Sequence, residues 1–398
     1  MKKSTESILI LFLIGICMQI NAQTSLYHPN RILISFKSNA LELEIDALQN
    51  AFTATEVERL PETDIRVWEI PSFPVTFIHQ GQVRVLANIN NVNQSALQEA
   101  EVEGVNFDYL LDTYDGRETE GGGNPGDSYD CDGSYRILEM ADHNSTKLGI
   151  IDTGFSPNDS DDGTDFYFDI EGYGGYNYVQ NNGDIEDDNG HGTHVTSVIN
   201  HISHSASAID PLESFTQYYI QKTFDNNGNS YLSDIVRAID RSIANDINIL
   251  NFAFSYKSRK PSGRNVTPMQ RAIIDAENAN MLIIAAAGND FGLDNDSETI
   301  RCFPASFDYP NILSVASVSC AGELSDFSNY GVKSIDVAAP GEFIEGASST
   351  GSVVTISGTS QALQLQLESQ ICLHLILPYL TMKKLNAQFY QVLNMNHS

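Results

Sequence analysis

The sequence is poor in basic residues. It has 22 Lys and Arg against 52 Asp and Glu in 398 residues, and its formal net charge at pH 7 is -30. Nucleic-acid binding depends on Lys and Arg contacts to phosphates, so this composition argues against a nucleic-acid partner. Because 41% of the residues are hydrophobic, the chain can bury a large core. It is therefore predicted to be globular, with room for a main domain and a smaller one.

Long apolar runs are also scarce, and the main one lies at the start of the chain. Residues 1–22 combine Lys2 and Lys3 with an apolar stretch and a small Ala22, which is the layout of a secretory signal peptide. We therefore expect secretion or export to a periplasm. We expect no membrane association after removal of the signal, because no other run is long enough to span a bilayer.

Cysteines are few, and none forms a CxxC pair, which argues against a zinc ribbon. Four cysteines remain once the signal segment is set aside. They are Cys131, Cys302, Cys320 and Cys372. In an exported protein an even number permits disulfides, and four cysteines allow three pairings.

The order of sequence patterns predicts two folded units. Residues 31–112 contain almost no glycine and mix strand and helix patterns, which indicates a small α+β unit. Residues 113–135 are rich in Gly and Asp and are predicted to form an exposed linker. In residues 136–362, apolar runs alternate with helical segments. This alternation predicts an α/β domain, with a mainly parallel sheet and helices on both faces.

One helix of the second unit is marked by isoleucines at four-residue spacing. Ile235, Ile239 and Ile243 give it an apolar face, and Ser230 or Ser233 is the expected N-cap. In a parallel sheet with such helices, ligand sites gather at the carboxyl ends of the strands. The residues that follow each apolar run are therefore candidates for a binding or catalytic site.

Four motifs supply residues with the chemistry of a nucleophilic site. Asp152 follows the apolar run KLGII, and His191 lies in NGHGTHV at the start of a helical pattern. Ser360 lies in SGTSQA, and a serine becomes a good nucleophile when an Asp-oriented imidazole takes its proton. Asn289, in AAAGN, ends a buried strand, and its amide can donate to a developing oxyanion.

Each motif taken alone also has a simpler interpretation. Asp152 and Asn289 are common turn residues. Four histidines fall within about half a circle of a helix, at roughly 100° per residue, which raises the alternative of a metal site. These are His191, His194, His201 and His204. No carboxylate or cysteine joins them at ligand spacing, so a metal is disfavoured, and the last two are predicted to be solvated.

Taken in the order Asp, His, Ser, the motifs resemble the subtilisin-like serine proteases of the subtilase family. The matching stretches are IIDTG, NGHGTHV, AAAGN and SGTSQA, and FSNYG at 327–331 and VAAPG at 337–341 support the register. The resemblance covers about residues 147–362. It implies a secreted serine endopeptidase that cleaves polypeptides through an acyl-enzyme and needs no cofactor for catalysis.

The resemblance also implies a role for each matched residue. Asp152 orients the base, His191 acts as general base and acid, and Ser360 attacks the scissile carbonyl. The backbone N-H of Ser360 and the side-chain amide of Asn289 form the oxyanion hole. His194 is implied to be structural and to pack against the sheet.

Substrate binding in this family adds the peptide as an extra strand beside an edge segment. Phe254 and Ser255 depart from the Leu and Gly that the family usually has there, and we expect the pocket to favour apolar side chains. The implied substrate-binding residues are Ala253, Phe254, Ser255, Ala286, Ala287 and Gly288.

Two further expectations come from the resemblance. Residues 31–112 lie where such proteases carry a propeptide that assists folding and covers the active site, with maturation cleavage between Leu111 and Tyr135. Structural calcium is common in the family, and residues 158–172 offer many oxygen ligands. Their spacing does not match an EF-hand loop, so a solvated acidic loop is the favoured interpretation. The sequence assigns no metal ligand.

The resemblance stops abruptly after Ala362. The family continues with a small residue, a proline and a helix of small and apolar residues. Here Gln364 stands at the proline position, and leucines alternate with glutamines through Leu367. A period of two predicts a half-exposed strand.

We therefore expect residues 363–398 to be an aberrant tail from a shifted reading frame or a truncated gene, with an unusual but functional terminus as the alternative. If the tail prevents the packing behind Ser360, the protein is instead a catalytically impaired or dead fold that binds peptides or a protein partner. A third hypothesis is an acidic calcium-binding surface protein in which the Asp, His and Ser motifs are accidental.

Overall fold

The structure is a computed structural model that describes residues 27–79, 82–112, 146–157, 173–206, 216–259 and 266–366. Several predicted features lie outside these residues. They are the signal peptide at 1–22, the linker at 113–135, the acidic segment at 158–172 and the tail from residue 367 onward.

The N-terminal unit is built on an antiparallel sheet with β1 at its centre. Strand β1 pairs with β3 on one side and with β6 on the other, and β2 pairs with β3. The strands are β1 (Tyr27–Phe36), β2 (Thr55–Arg59), β3 (Arg66–Glu69), β4 (Val75–His79), β5 (Gln82–Leu86) and β6 (Val102–Asp112). The helices are α1 (Glu42–Ala51) and α2 (Ile89–Ala96). Trp68, Phe52 and Phe77 are fully buried in its core.

The second unit contains a seven-stranded sheet in which every described pairing is parallel. The spatial order is β16-β15-β13-β11-β7-β9-β8. Its strands are β7 (Thr146–Asp152), β8 (Gly174–Asn177), β9 (Thr216–Lys222), β11 (Ile249–Phe252), β13 (Leu282–Ala286), β15 (Ile312–Val318) and β16 (Val337–Pro340). The predicted parallel α/β fold is confirmed.

Shorter elements complete this unit. The remaining strands are β10 (Asn229–Tyr231), β12 (Tyr256–Arg259), β14 (Ile300–Phe303), β17 (Ile344–Ala347) and β18 (Val353–Ile356). The helices are α3 (His191–Ala206), α4 (Leu232–Ala244), α5 (Pro268–Asn278) and α6 (359–366). No described helix is both long and apolar enough to cross a membrane.

Helices cover both faces of the parallel sheet because successive strand residues point to opposite sides. In β13, Ile283 packs in an apolar cluster with α4 and α5, whereas Ile284 packs in a second cluster with α3 and α6. Leu250 and Ile249 of β11 divide between the same two clusters. The strands therefore consist of nearly continuous apolar residues, as the sequence shows.

The expected serine cap of α4 is wrong. Tyr231 occupies the N-cap position and makes no side-chain cap hydrogen bond. Instead, the carboxylate of Asp108 in β6 accepts hydrogen bonds from the N-H of Ser233 (2.8 Å) and its hydroxyl (3.0 Å). A side chain from the N-terminal unit thus accepts a hydrogen bond from a backbone N-H group in the first turn of this helix, which has no partner within the helix.

The strand predicted after Ala362 is also wrong, because α6 continues to residue 366. Ala362 and Leu363 are fully buried in the cluster beside α3. The side chain of Gln364 donates to the carbonyl of Ser360, one turn earlier (2.6 Å), and accepts from Asn251. The glutamine amide is therefore satisfied inside a helix, which the alternating pattern did not predict.

The cysteines do not all join disulfides, as their even number had allowed. Cys302 is a free, buried thiol, whereas Cys320 is disulfide-bonded. Burial raises the pKa of the Cys302 thiol to about 12. It is therefore neutral and unreactive at physiological pH.

Candidate active site

The predicted site residues lie at the carboxyl edge of the parallel sheet. Asp152 is the last residue of β7, Ala253 follows β11, and Asn289 lies three residues beyond the end of β13. These strands are neighbours and run in the same direction. Their ends therefore meet at one edge, where such folds bind ligands.

Asp152 and His191 form a direct hydrogen-bonded pair. The Nδ1 atom of His191 lies 2.8 Å from Oδ1 and 3.0 Å from Oδ2 of Asp152. Asp152 is fully buried, and its Oδ1 also accepts the N-H of Thr153 (2.7 Å). Because Nδ1 donates to the carboxylate, Nε2 of the neutral imidazole is left without a proton and can act as a base.

Burial and nearby charges have opposite effects on the pKa of His191. Burial lowers its pKa, but the charge of Asp152 and its hydrogen bond, together with the charge of Asp187, raise the pKa above the ordinary value. The carboxylates thus favour the imidazolium that forms when the residue accepts a proton.

His194 occupies a different environment, one turn along α3. Its Nε2 lies 3.2 Å from the carbonyl of Ile344 in β17, and its Nδ1 lies 3.5 Å from the amide of Gln361. Burial, followed by the charge of His191, lowers its pKa to about 3, so His194 is neutral. It packs against the β17–β18 hairpin, which forms a separate two-stranded sheet.

Ser360 and Asn289 are joined through Thr359. The side-chain Oδ1 of Asn289 accepts the N-H of Thr359 (2.9 Å), and the hydroxyl of Thr359 accepts the N-H of Gly288 (3.2 Å). Since Oδ1 is fixed by a backbone donor, the Nδ2 group of Asn289 remains available to donate elsewhere. Asn289 and Ser360 are each 5% exposed.

The hydroxyl of Ser360 points towards Ala253, in the predicted substrate-binding segment. It donates to the backbone carbonyl of Ala253 (2.9 Å), and it makes no hydrogen bond to His191 in the part of the chain that the structure describes. Hydrogen bonds of a catalytic serine often form only in the complex with substrate.

Five of the six predicted substrate-binding residues are buried, and Ser255 is half-buried. Ala253, Ala286 and Ala287 are buried, and Phe254 packs into the core with its ring 5.3 Å from that of Phe224. The larger side chain of Phe254 is thus accommodated inside the domain.

Ser255 and Gly288 lie side by side next to polar groups that sequence reasoning did not identify. A Cβ on Gly288 would lie 3.2 Å from the hydroxyl of Ser255 and 2.6 Å from the Cys302 sulfur. The Cys302 thiol contacts Asp290 at 3.5 Å. The predicted substrate pocket next to Ser255 and Gly288 therefore carries the Cys302 thiol and the Asp290 carboxylate in addition to the expected apolar residues.

Sequence reasoning also missed Asp187. This carboxylate is buried. It accepts hydrogen bonds from Thr153, which directly follows Asp152, and from Thr193, which lies two residues after His191. The N-cap rule did not identify it, because a capping Asp directly precedes its helix, whereas Asp187 lies four residues before His191. Among the described residues, no group of three or more His, Cys, Asp or Glu side chains is arranged to hold a metal ion.

Comparison with known proteins identifies the family. The subtilase family (peptidase S8) matches residues 143–362, which is more than half of the chain. The chain belongs to the subtilase family, the subtilisin-like serine proteases. The match ends at Ala362, the residue after which the sequence departs from the family pattern.

Individual curated relatives have low sequence identity to this chain. The minor extracellular protease Epr of Bacillus subtilis is 32% identical over 54% of this chain and 30% of its own length. Thermitase of Thermoactinomyces vulgaris is 27% identical over 56% of this chain and 73% of its own length. The chain spans between about a third and a half of the first curated relatives it matches.

The fold is shared beyond the family match. A crystal structure of the epidermin leader peptide processing serine protease of Staphylococcus aureus superposes with a TM-score of 0.59 and 19% sequence identity. The similarity covers 88% of each chain. The shared architecture therefore extends outside residues 143–362.

Proposed function

We propose that this protein is an exported serine endopeptidase that hydrolyses polypeptides through Asp152, His191 and Ser360. The observation that carries the proposal is the 2.8 Å hydrogen bond between His191 and the buried Asp152 carboxylate. It holds the imidazole in the orientation that a general base requires. The neighbouring α6, which carries Ser360, contacts α3 through Gln361 and His194.

The proposed chemistry uses each group in turn. As the Ser360 oxygen bonds to the substrate carbonyl carbon, its proton moves to Nε2 of His191. The N-H of Ser360 and the amide of Asn289 donate to the resulting oxyanion. The C-N bond then breaks, and the leaving amine takes the proton from His191. Water attacks the acyl-enzyme by the same route, giving the acid product and restoring the serine hydroxyl.

The N-terminal unit has the contacts that a propeptide would need. Residues Leu110–Asp112 of β6 pair antiparallel with β10 of the second unit, so the end of β6 adds a strand to that unit in the way that a bound peptide could. The side chain of Leu111 is 2% exposed and lies in the same apolar cluster as Phe224 and Phe254. We propose that residues 31–112 cover the substrate site before maturation, with cleavage between Leu111 and Tyr135.

Further contacts hold this unit against α4 and α5. Asp240 of α4 accepts hydrogen bonds from the N-H groups of Glu62 and Thr63 at 2.9 and 2.8 Å. The N-H of Met269, near the start of α5, donates to the side chain of Asn106 (3.2 Å). Polar side chains of one unit thus satisfy backbone groups of the other, which supports specific docking.

Export is supported by the relatives, two of which are named as an extracellular and a cell wall-associated protease of Bacillus subtilis. The layout of residues 1–22 agrees with it. We propose that the signal peptide directs the chain out of the cytoplasm and that polypeptides outside it are the substrates.

The test is a comparison of the full chain with its Ser360→Ala variant. We expect the wild-type chain to release a fragment that begins between residues 112 and 136, and then to cleave an unfolded protein substrate. The variant should remain intact and inactive. Cleavage of the substrate by both proteins at the same rate would refute the proposal.

We also propose that a shift of the reading frame near codon 362 produced the residues that follow. The family match ends there, and the glutamines that follow differ from the proline and small residues of the family. Translation of the coding DNA in its other two frames tests this. A frame that restores a proline and a helix of small residues supports the shift, and its absence from both frames contradicts it.

A further inference from the structure

Asp187 is a buried carboxylate in the loop before α3, and it is 3% exposed. Its Oδ1 accepts hydrogen bonds from the hydroxyl of Thr153 (2.9 Å) and from the N-H groups of Asn189 (3.0 Å) and Gly190 (2.8 Å). Its Oδ2 accepts the N-H (2.8 Å) and the hydroxyl (2.6 Å) of Thr193. Five donors thus converge on one side chain.

These donors keep Asp187 ionised. Burial alone would raise its pKa, but the hydrogen bonds from Gly190, Thr193 and Asn189 outweigh burial and lower the pKa. A carboxylate can accept on both oxygens, whereas the amide of an asparagine can accept on one. The network therefore requires Asp at this position.

Thr153 connects Asp187 to the Asp152–His191 pair. Its N-H donates to Asp152, and its hydroxyl accepts the N-H of Gly192 at 2.8 Å while donating to Asp187. Gly192 directly follows His191. The two segments also touch closely, since a Cβ on Gly192 would lie 2.3 Å from the carbonyl of Gly154.

We propose that Asp187 is a positioning residue that fixes the turn after β7 against the start of α3 and so sets the geometry between Asp152 and His191. The proposal rests on the proposed proteolytic function. A displacement of about 1 Å in such a site can cost on the order of a hundredfold in rate. Asp187 acts through Thr153 and the helix start, and it does not touch substrate.

The charge of Asp187 gives a second readout. The titratable groups around His191 are the carboxylates of Asp152 and Asp187 and the neutral His194. On the neighbouring β9, the ammonium of Lys222 donates to the carbonyl of Thr153 and pairs with Asp188. Loss of the Asp187 charge therefore lowers the pKa of His191. Because the base must be neutral, the acid limb of the kcat profile then moves to lower pH.

Two variants distinguish the positioning effect of Asp187 from the effect of its charge. We expect Asp187→Asn to lower kcat about tenfold to a hundredfold with little change in KM, and to move the acid limb to lower pH. Thr153→Val retains the charge but removes the link, so kcat should fall while the acid limb stays in place. Asp184→Asn, an exposed carboxylate in the same loop, is the matched control and should behave as the wild type.

The outcomes distinguish this proposal from the proposed function. If Ser360→Ala is as active as the wild type, the proteolytic mechanism itself fails. If only Ser360→Ala is inactive, while Asp187→Asn and Thr153→Val keep the wild-type kcat and pH profile, the positioning role fails. Should Asp187→Asn not fold, the kcat and acid limb of Thr153→Val decide alone.

Discussion

Among single residues, His191 shows how nearby carboxylates can raise the pKa of a buried histidine, as its proposed role as a base requires. Burial disfavours the imidazolium, so an isolated buried histidine would be a weak base at neutral pH. Two carboxylates, Asp152 in direct contact and Asp187 nearby, reverse this effect. His194, which lacks such carboxylates, is held neutral one turn away. The same residue type thus serves two roles because its neighbours differ.

The raised pKa of His191 leads to a prediction for the pH dependence of hydrolysis. The rate requires the neutral imidazole, so the acid limb of the kcat profile should lie above the ordinary histidine pKa of about 6.5. Asp152→Asn removes the main charge that raises this pKa. We expect the limb to move to lower pH and kcat to fall on the order of 10⁴-fold, as in comparable triads. A limb that does not move in this variant would contradict the assignment of Asp152.

Asn289 both accepts from Thr359 and is proposed to donate to the oxyanion. Asn289→Asp preserves the acceptor but removes the donor, whereas Asn289→Ala removes both. We expect each variant to lose roughly 10²–10³-fold in kcat, the loss known for one oxyanion donor in a subtilisin-type site. Steady-state kinetics check this. Retention of kcat by the Asp variant alone would mean that the structural contact to Thr359 is the important one.

The four residues that we propose to be catalytic share one property. Asp152, His191, Asn289 and Ser360 each lie in a short motif whose chemistry is local, at a strand end or a helix start. Asp187 was missed because its importance depends on a hydroxyl 34 residues upstream. Long-range hydrogen bonds of this kind leave no local pattern.

Among the secondary-structure elements, α6 departs most from the prediction. Leucine and glutamine alternate there, and alternation normally indicates a strand. Gln364 instead occupies a fully buried position and bonds to Ser360 one turn earlier and to Asn251 of β11. The hydrogen bond to Asn251 thus allows a helix where the leucine–glutamine alternation favours a strand. The parallel strands were predictable because they are buried on both faces and need no partner-specific contacts.

The packing of α6 remains imperfect at Gln361. This side chain is 1% exposed, and its Oε1 has no hydrogen-bond partner among the described residues. An unpaired buried acceptor costs about 1–3 kcal/mol, so Gln361→Met should raise the free energy of unfolding by about 1 kcal/mol. Urea denaturation of the wild type and the variant measures this change in the free energy of unfolding. Gln361→Glu, of equal size, should lower that free energy, and stabilisation by both variants would contradict the argument.

At the scale of the whole molecule, the two units are joined by an extended set of contacts. The division into two units is a prediction from the sequence, because the glycine-poor α+β pattern differs from the alternating pattern that follows. The sequence did not predict the interface. Asp108 reaches Ser233 across 125 residues of chain, and an expected local cap of α4 was wrong for that reason.

Asp108 tests the importance of this interface. It is fully buried, and its loss would leave the N-H of Ser233 and the guanidinium of Arg31, 3.6 Å away, without this carboxylate. In a Ser360→Ala background, which prevents self-cleavage, we expect Asp108→Ala to lower the free energy of unfolding by about 1–3 kcal/mol. Asp46→Ala, on the exposed side of α1, is the control. Equal stability of the two variants in urea would show that the contact is unimportant.

We propose above all that Ser360 is a nucleophile activated by His191 and Asp152. The most direct measurement is reaction of the purified, matured protein with a fluorophosphonate probe, followed by identification of the modified residue by mass spectrometry. We expect a single covalent adduct on Ser360 that is absent from the Ser360→Ala variant and forms much more slowly in a His191→Ala variant. A folded wild-type protein that gains no adduct on Ser360, or labels equally well without His191, would contradict it.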